Sequence, residues 1–508
     1  AAMGGLPGTL LTLSDLADST GVEFHLKVHG PPGLEAVSNL MKNFTKSNMH
    51  VTYHEAANTQ DPGPCLKNET VTITPVALSP APSSCSPEPE AKRVKLQIPN
   101  AAPQGVPAPP CTEAMALHSV CYLGQLSDTP GKFDVNKAKA LGIKPGPIFG
   151  KLKTGEAVTL EDGRVITQSD VCDRSLPGAE FLIVDCPTEQ HVRSLRESKF
   201  LARYVGSQDD PSKLQCVLHL TNPDVAASEI YSDWMSSLKG QPTHVLANGA
   251  ASGYRQTVFP SSAWLRGRTN FIHPGVFPPY TDSPSVPESY TKAMTRLEAK
   301  GVKIAPGHNL LKFHLRPFAS MGVDDSELPE PCTLEGVHSQ LTKQVPGVLQ
   351  AVDVLRNTSI SDFEDHPGTR GLKELGRNAA ELVFLGTGSA KPCKYRNVSA
   401  IYLDVIGLGG ILMDCGEGTL SQLHVRYGAA RTEEILRSLK CVWISHIHAD
   451  HHVGLASILI AREQLLGEGC SPLLVIGPRP LLFSLQAWSC METLNFIFVD
   501  CRETAEGG

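Results

Sequence analysis

Between Glu180 and about Pro317, short apolar runs alternate with helix-like stretches: Phe181 to Val184, Cys216 to Leu220, Ile230 to Leu238 and His244 to Ala247. This alternation predicts an α/β architecture, with short strands set between helices. Residues 1 to 55 carry the same pattern and predict helix, strand (Val22 to Val28), turn and helix (Leu34 to Phe44). It reopens at Glu381-Leu382-Val383-Phe384-Leu385, a strand ending in Gly386-Thr387-Gly388-Ser389. It then runs through Ser399 to Val405 and Ile411 to Met413 to Cys441-Val442-Trp443-Ile444, with a helix over Val453 to Leu466. Two stretches break the pattern. From about Ala57 to Pro110, Pro, Ser and Ala dominate, and few large apolar residues remain to bury, which predicts a disordered linker over 56–116. From Ala319 to Arg377 the chain is polar and acidic and reads as an interdomain connection with some helix, Val348 to Leu355. The expected division is therefore 1–55 and 117–320 in one domain, 321–378 as connection and 379–508 as a second domain.

A chain of 508 residues with 41% hydrophobic content accommodates two or more globular domains. The net charge of -7 gives no global signature of a nucleic-acid binder, so any RNA contact has to come from local basic patches. Fourteen cysteines without a C-x-x-C pair argue against a zinc ribbon or disulfide scaffold and for reduced buried thiols. No apolar window approaches the length of a membrane span, and no targeting peptide is visible, although residue 1 is Ala and the first Met is Met3.

Two local basic patches stand out. Lys92-Arg93-Val94-Lys95, within the Pro-rich stretch, reads either as a nuclear import signal or as a solvated charge cluster. The second lies in 130–170. A helix-like run Asn136 to Leu141 ends at Gly142, and Lys144, Pro145, Gly146 and Pro147 make a turn before Lys151 and Lys153. In an extended segment those two lysines share one face, giving a protruding arm that sets positive charge against a phosphate backbone without base readout. The alternative is a surface hairpin with ordinary lysines. His219 and His273 stand without a carboxylate-histidine cluster, so the N-terminal half reads as catalytically empty.

The densest chemistry follows the Cys441 to Ile444 run: Ser445-His446-Ile447-His448-Ala449-Asp450-His451-His452. His446 and His448, two residues apart in extended backbone, point to one side and grip one ion. Asp450 and His451 fall where strand gives way to helix, and a turn there swings them toward a second ion, as two-metal hydrolysis requires. A recurrence points to duplication. Gly5-Leu6-Pro7-Gly8 and His29-Gly30-Pro31-Pro32 are echoed by Gly454-Leu455 and Ile476-Gly477-Pro478 at nearly equal separation, so the chain reads as two copies of one fold, the first entered midway.

H-x-H-x-D-H alone resembles the metallo-β-lactamase superfamily of hydrolases. Together with Gly386-Thr387-Gly388-Ser389, the Pro392-x-Lys394-x-Arg396-Asn397 loop and Asp414-Cys415-Gly416-Glu417-Gly418-Thr419, it resembles long-form ribonuclease Z, the tRNA 3′-processing endonuclease. The resemblance implies an αββα metallo-β-lactamase fold in two tandem copies, both incomplete here, with the 130–170 arm gripping tRNA. It implies two Zn2+ ions, one on His446 and His448 and one on Asp450 and His451, with Asp450 also taking a proton from the attacking water. It further implies Asp414 orienting the cluster, Pro392, Lys394, Arg396 and Asn397 holding the tRNA acceptor end, a tRNA precursor as substrate, a monomer, no membrane partner, and location in nucleus and mitochondrion. The family's remaining ligands and its general acid lie downstream of the last residue given. Four ligands leave two zincs under-coordinated, so the expectation is a fragment lacking both ends, inactive on its own while its parent is a nuclease. The competing readings are a glyoxalase-type small-molecule hydrolase, which has no use for the basic arm, and a non-catalytic RNA-binding or scaffold protein.

Overall fold

The computed structural model describes residues 6–22, 24–34, 50–56, 62–79, 118–129, 131–160, 162–173, 175–248, 260–279, 288–330, 332–357, 380–405, 407–467, 469–489 and 492–502. The Lys92 to Lys95 cluster and most of the helix expected from Leu34 to Phe44 lie outside them.

Apolar residues at strand period build two mixed sheets. The first has seven strands in the order Lys303–Pro306, Thr243–Leu246, Leu214–His219, Glu180–Val184, Ser119–Leu126, Val71–Leu78 and Leu66–Lys67. The first four run parallel and the remaining joins are antiparallel. Its core packs Val76, Leu123, Leu182 and Val217 on the strands against Leu195, Trp234 and Leu297 on the helices.

Strand Val71–Leu78 corrects the expectation of a disordered linker over 56–116. Val76, Ala77 and Leu78 are buried, and the strand pairs along its whole length with Ser119–Leu126. Val71, Ile73 and Val76 supply the β-branched side chains that a strand favours. Pro75, which hid that signal, lies beyond the end of the short Leu66–Lys67 partner, on an open sheet edge where a missing N–H is tolerated.

The C-terminal sheet has six strands: β1 (Ala380–Gly386), β2 (Ala400–Val405), β3 (Gly409–Cys415), β4 (Leu439–Trp443), β5 (Leu473–Gly477) and β6 (Phe496–Asp500), side by side in that order. β1, β2 and β3 pair antiparallel, and β3 to β6 are parallel. Helices Thr419–Ser438, Leu455–Leu466 and Arg479–Trp488 cover one face, burying Leu412, Val442 and Val475 against Leu423, Ile458 and Leu481. Leu412 is fully buried on the strand that carries Asp414, so Leu412→Ala is expected to cost about 2–5 kcal/mol through lost transfer energy and the cavity it leaves. Urea denaturation followed by circular dichroism measures it, as a lower midpoint at unchanged slope.

Helix Leu6–Thr20 precedes strand His25–Gly30, which runs parallel to His50–Glu55. Helix Leu455–Leu466 precedes β5, which runs parallel to β6, and both leading strands end in glycine. A further recurrence escaped the sequence. The strands from Val71–Leu78 to Lys303–Pro306 pair in the same order and sense as β1 to β6.

His219 does not stand alone, as the sequence suggested. Its Nε2 meets His244 Nδ1 at 2.9 Å and its Nδ1 meets the Tyr231 hydroxyl at 2.7 Å. His244 lies on the adjacent strand, out of sight of any local pattern. Burial pulls the His219 imidazole well below its ordinary pKa of 6.5, assisted by His244, and pulls His244 down to about 3. Both rings are neutral in the folded chain, so their contribution to stability is complete above pH 6.5 and is lost as pH falls from 6.5 toward about 3. The expected slope is at most about 1.4 kcal/mol per pH unit for each ring, read from urea midpoints across that window.

Helices Leu334–Gln344 and Val348–Asn357 occupy the expected connection, and Val337 of the first packs closely against Gly267 of helix Pro260–Ile272. His273 sits just past that helix and accepts the Val276 N–H at 3.1 Å, a structural role. Among the described residues no helix is long and apolar enough to cross a membrane.

Candidate metal centre and its flanking basic elements

The metal-type residues leave β4 on a fixed backbone. Ile444, fully buried, still donates its N–H to Ile476 O at 2.8 Å, after which Ser445 to His448 run without helix or strand and a one-turn helix covers Ala449–His452. Glycine permits the close approach that locates this turn. A Cβ on Gly416 would collide with the Asp450 carbonyl, and one on Gly454 would collide with the Gly416 carbonyl.

Asp414, at the end of β3 with φ +60°, is the organising carboxylate. Its Oδ1 accepts from the Ser445 N–H and from Ser445 Oγ, both at 2.8 Å, and its Oδ2 lies 2.7 Å from His451 Nδ1. Ser445 Oγ also reaches His446 Nδ1 at 3.0 Å. The three imidazoles are gathered against one another: His446 lies 3.9 Å from His451 and 4.6 Å from His448, centroid to centroid, and His446 Nε2 is 3.1 Å from His448 Nδ1. Asp450 is buried, its Oδ2 accepting the Ala390 N–H at 2.7 Å and lying 3.5 Å from His451 Nε2. His446, His448, Asp450 and His451 are thus brought together around Asp414. Burial lowers the His446 pKa, with neighbouring His451 and His448 adding to the effect, so the ring favours the neutral form that a cation needs. His452 is different: it is buried, and burial pulls its pKa to about 4.

Three imidazoles with two carboxylates are the donor chemistry of a zinc site. Among the described residues no three such side chains already converge on a point. Instead His446 Nε2 bonds to His448 Nδ1 and His451 Nδ1 to Asp414, and the donor set fits a metal in kind and in proximity. Asp414→Asn is expected to weaken metal binding about 10- to 100-fold by loosening the His451 ring, measured as Zn2+ affinity by competition with a chelator.

Two hydrogen-bond partners were not apparent from the sequence. Ser445 Oγ connects Asp414 to His446, and Ala390, held at φ +64°, presents its N–H to Asp450 from a loop sixty residues away in sequence. The serine lay within the motif but had no visible partner, and a main-chain donor leaves no residue-type signal.

The 392–397 loop is tied to the turn after Asp414 and to the Gly386 to Ser389 loop. Asn397, expected to help hold the tRNA acceptor end, is bonded within the fold: its Nδ2 donates to Glu417 O at 2.7 Å, and its carbonyl accepts from Thr387 and Gly388 N–H at 3.1 and 2.7 Å. It fastens three loops. Pro392 is half-buried, while Lys394 and Arg396 are exposed, with Lys394 Nζ 5.1 Å from the centre of the Tyr395 ring.

The arm is a separate small unit with its own core of Ala138, Ile143, Leu152, Ile166, Val171 and Cys172. Its first helix covers Val135–Ala140, capped by Asp134, and Gly142 turns the chain at φ +84°. Lys151 and Lys153 differ from expectation. They lie on helix Pro147–Lys153, which Pro147 starts and buried Leu152 anchors, so they diverge around the helix instead of sharing a strand face. Both are exposed, as are Lys144, Pro145, Gly146 and Pro147, and Lys153 Nζ lies 5.3 Å from the centre of the Phe133 ring.

Known proteins resemble this chain in sequence and in fold. The family model described as anti-Pycsar protein Apyc1 matches residues 380–479. A mitochondrial tRNase Z of Arabidopsis thaliana, TRZ3, is 35% identical over 99% of this chain and 56% of its own length. The human zinc phosphodiesterase ELAC protein 2 is 31% identical over 97% of this chain and 59% of its own, and ribonuclease Z 1 of Schizosaccharomyces pombe 29% identical over 98% and 62%. The crystal structure of a long-form RNase Z from yeast superimposes with a TM-score of 0.60 at 16% identity, covering 98% of this chain and 65% of that one. The chain therefore spans a little over half the length of these curated relatives and has the long-form RNase Z fold.

Proposed function

We propose that this chain, a member of the tRNase Z family by homology along nearly its whole length, carries the RNA-gripping arm and the metal cluster of a zinc-dependent endoribonuclease that removes the 3′ trailer from tRNA precursors. The observation that carries the proposal is the gathering of His446, His448, Asp450 and His451 around Asp414 and Ser445. His446 and His448 would hold one Zn2+, and Asp450 and His451 a second. The human relative's name includes zinc. Bound there, paired cations supply Lewis acidity toward a phosphodiester and acidify water.

The chain's own residues do the rest. The Ala390 N–H fixes one oxygen of Asp450 and leaves the other to accept a proton from the attacking water. Asp414 engages His451 at Nδ1, so Nε2 is the nitrogen directed toward Asp450 and a cation. Exposed Lys394 and Arg396 set positive charge beside the cluster for the phosphates of the acceptor end. The arm's Lys144, Lys151 and Lys153 contact phosphate farther along the tRNA, which suits recognition of a shape whose sequence varies.

In this reading residues 1–320 and 379–508 form two domains, each a metallo-β-lactamase-type unit in part, joined through 321–378. The protein acts as a monomer in mitochondrion and nucleus; the first location is in the name of the Arabidopsis relative, and the second rests on Lys92 to Lys95. Cleavage of a precursor tRNA by the protein at its relatives' length tests the activity. Release of a 3′ trailer with a 3′-hydroxyl on the tRNA supports it. Binding without cleavage would favour a scaffold, and ester hydrolysis without binding a small-molecule hydrolase.

A further inference from the structure

Away from the cluster, four histidines share one two-strand ribbon. In parallel strands His25–Gly30 and His50–Glu55, His25 is the register partner of His50 and His29 of His54. Side chains at even spacing along a strand share a face, so both pairs project to the same side. The rings of each pair stack, with centroids 5.3 Å apart at 10° for His25 and His50, and 4.7 Å apart at 14° for His29 and His54. The second pair opens into a cavity of about 270 Å³ whose wall also includes Glu55 and Cys65.

We propose that His29, His54 and Cys65 form a site for a thiophilic divalent transition-metal ion such as Zn2+. Two imidazoles and a thiol are the donor types that such ions select, whereas a phosphate or other anion would be repelled by Glu55 and gains nothing from the thiol. Because among the described residues no three of these groups already converge, entry of the ion draws the facing rings and the thiol together by side-chain rotation, and the Cys65 proton leaves to buffer. Burial, with His54 and Lys27, lowers the His29 pKa, which keeps its ring neutral.

The site has a structural consequence. Cys65 immediately precedes strand Leu66–Lys67, the edge of the seven-stranded sheet, while both histidines belong to the separate ribbon. The Tyr122 hydroxyl donates to His29 O at 2.9 Å and already joins the two. An ion held by all three ligands would clamp ribbon to sheet.

Titration of the protein with Co2+ alone tests this without reference to RNA cleavage. The metal cluster after β4 has no cysteine among its ligands, so the part of a thiolate-to-cobalt charge-transfer band in the near ultraviolet that Cys65→Ser removes reports the new site. The expected result is such a band, lost in Cys65→Ser and in the milder surface change His54→Gln, with one fewer Co2+ bound per chain in each. Absence of the band, or a band unchanged in both variants, overturns the proposal whether or not the protein cleaves tRNA.

Discussion

In the protein at its relatives' length, Asp450→Ala is expected to abolish precursor-tRNA cleavage while leaving tRNA affinity unchanged. Asp450 is buried in the one-turn helix, and the oxygen that accepts the Ala390 N–H also lies 3.5 Å from His451 Nε2, so the carboxylate is held at the cluster. Loss of a positioned base alone removes roughly 10²- to 10⁴-fold of rate, and loss of a cation ligand adds to this. The basic arm and the Lys394 and Arg396 loop remain intact, so binding persists. Single-turnover cleavage together with filter binding on the protein at its relatives' length measures both. Intact cleavage would remove Asp450 from the chemistry, and abolished binding would show the substitution to be disruptive.

Removal of the arm, residues 131–173 replaced by a short Gly-Ser link, is expected to have the converse effect. The arm closes its own small core, so its excision leaves the sheet and the cluster in place. Lys144, Lys151 and Lys153 are exposed on it, and each lysine–phosphate pairing removed reduces the steepness of the log-affinity against log-salt plot by about 0.9. Without these three lysines, tRNA binding is expected to weaken clearly at low salt and to depend less steeply on salt, with the turnover of a minimal phosphodiester unchanged. Equal salt slopes with and without the arm would assign tRNA binding elsewhere.

The parts of this chain that the sequence disclosed are those whose chemistry is local. The H-x-H-x-D-H run compresses four donors into six positions, and Asp414 precedes a glycine-rich turn, so both are legible in the residue order alone. What stayed hidden depends on residues distant in sequence. The His219 and His244 pair is joined across neighbouring strands, and Ala390 reaches Asp450 through its backbone. Strand Val71–Leu78 was concealed by Pro75 and its proline-rich surroundings, although its burial against Ser119–Leu126 outweighs that local signal. Alternation alone would put Lys151 and Lys153 on a strand, whereas Pro147 at a helix start and Leu152 in the arm core select a helix. The bond from the Asn397 amide to Glu417 O likewise spans twenty residues and left no local signal.

The most direct test of the central claim is the zinc content of the protein at its relatives' length, compared with a variant in which His446, His448, Asp450 and His451 are all alanine. Elemental mass spectrometry after chelator washing should show two fewer zinc ions per chain in the variant, with tRNA still bound. Equal zinc content in the two proteins would contradict the account.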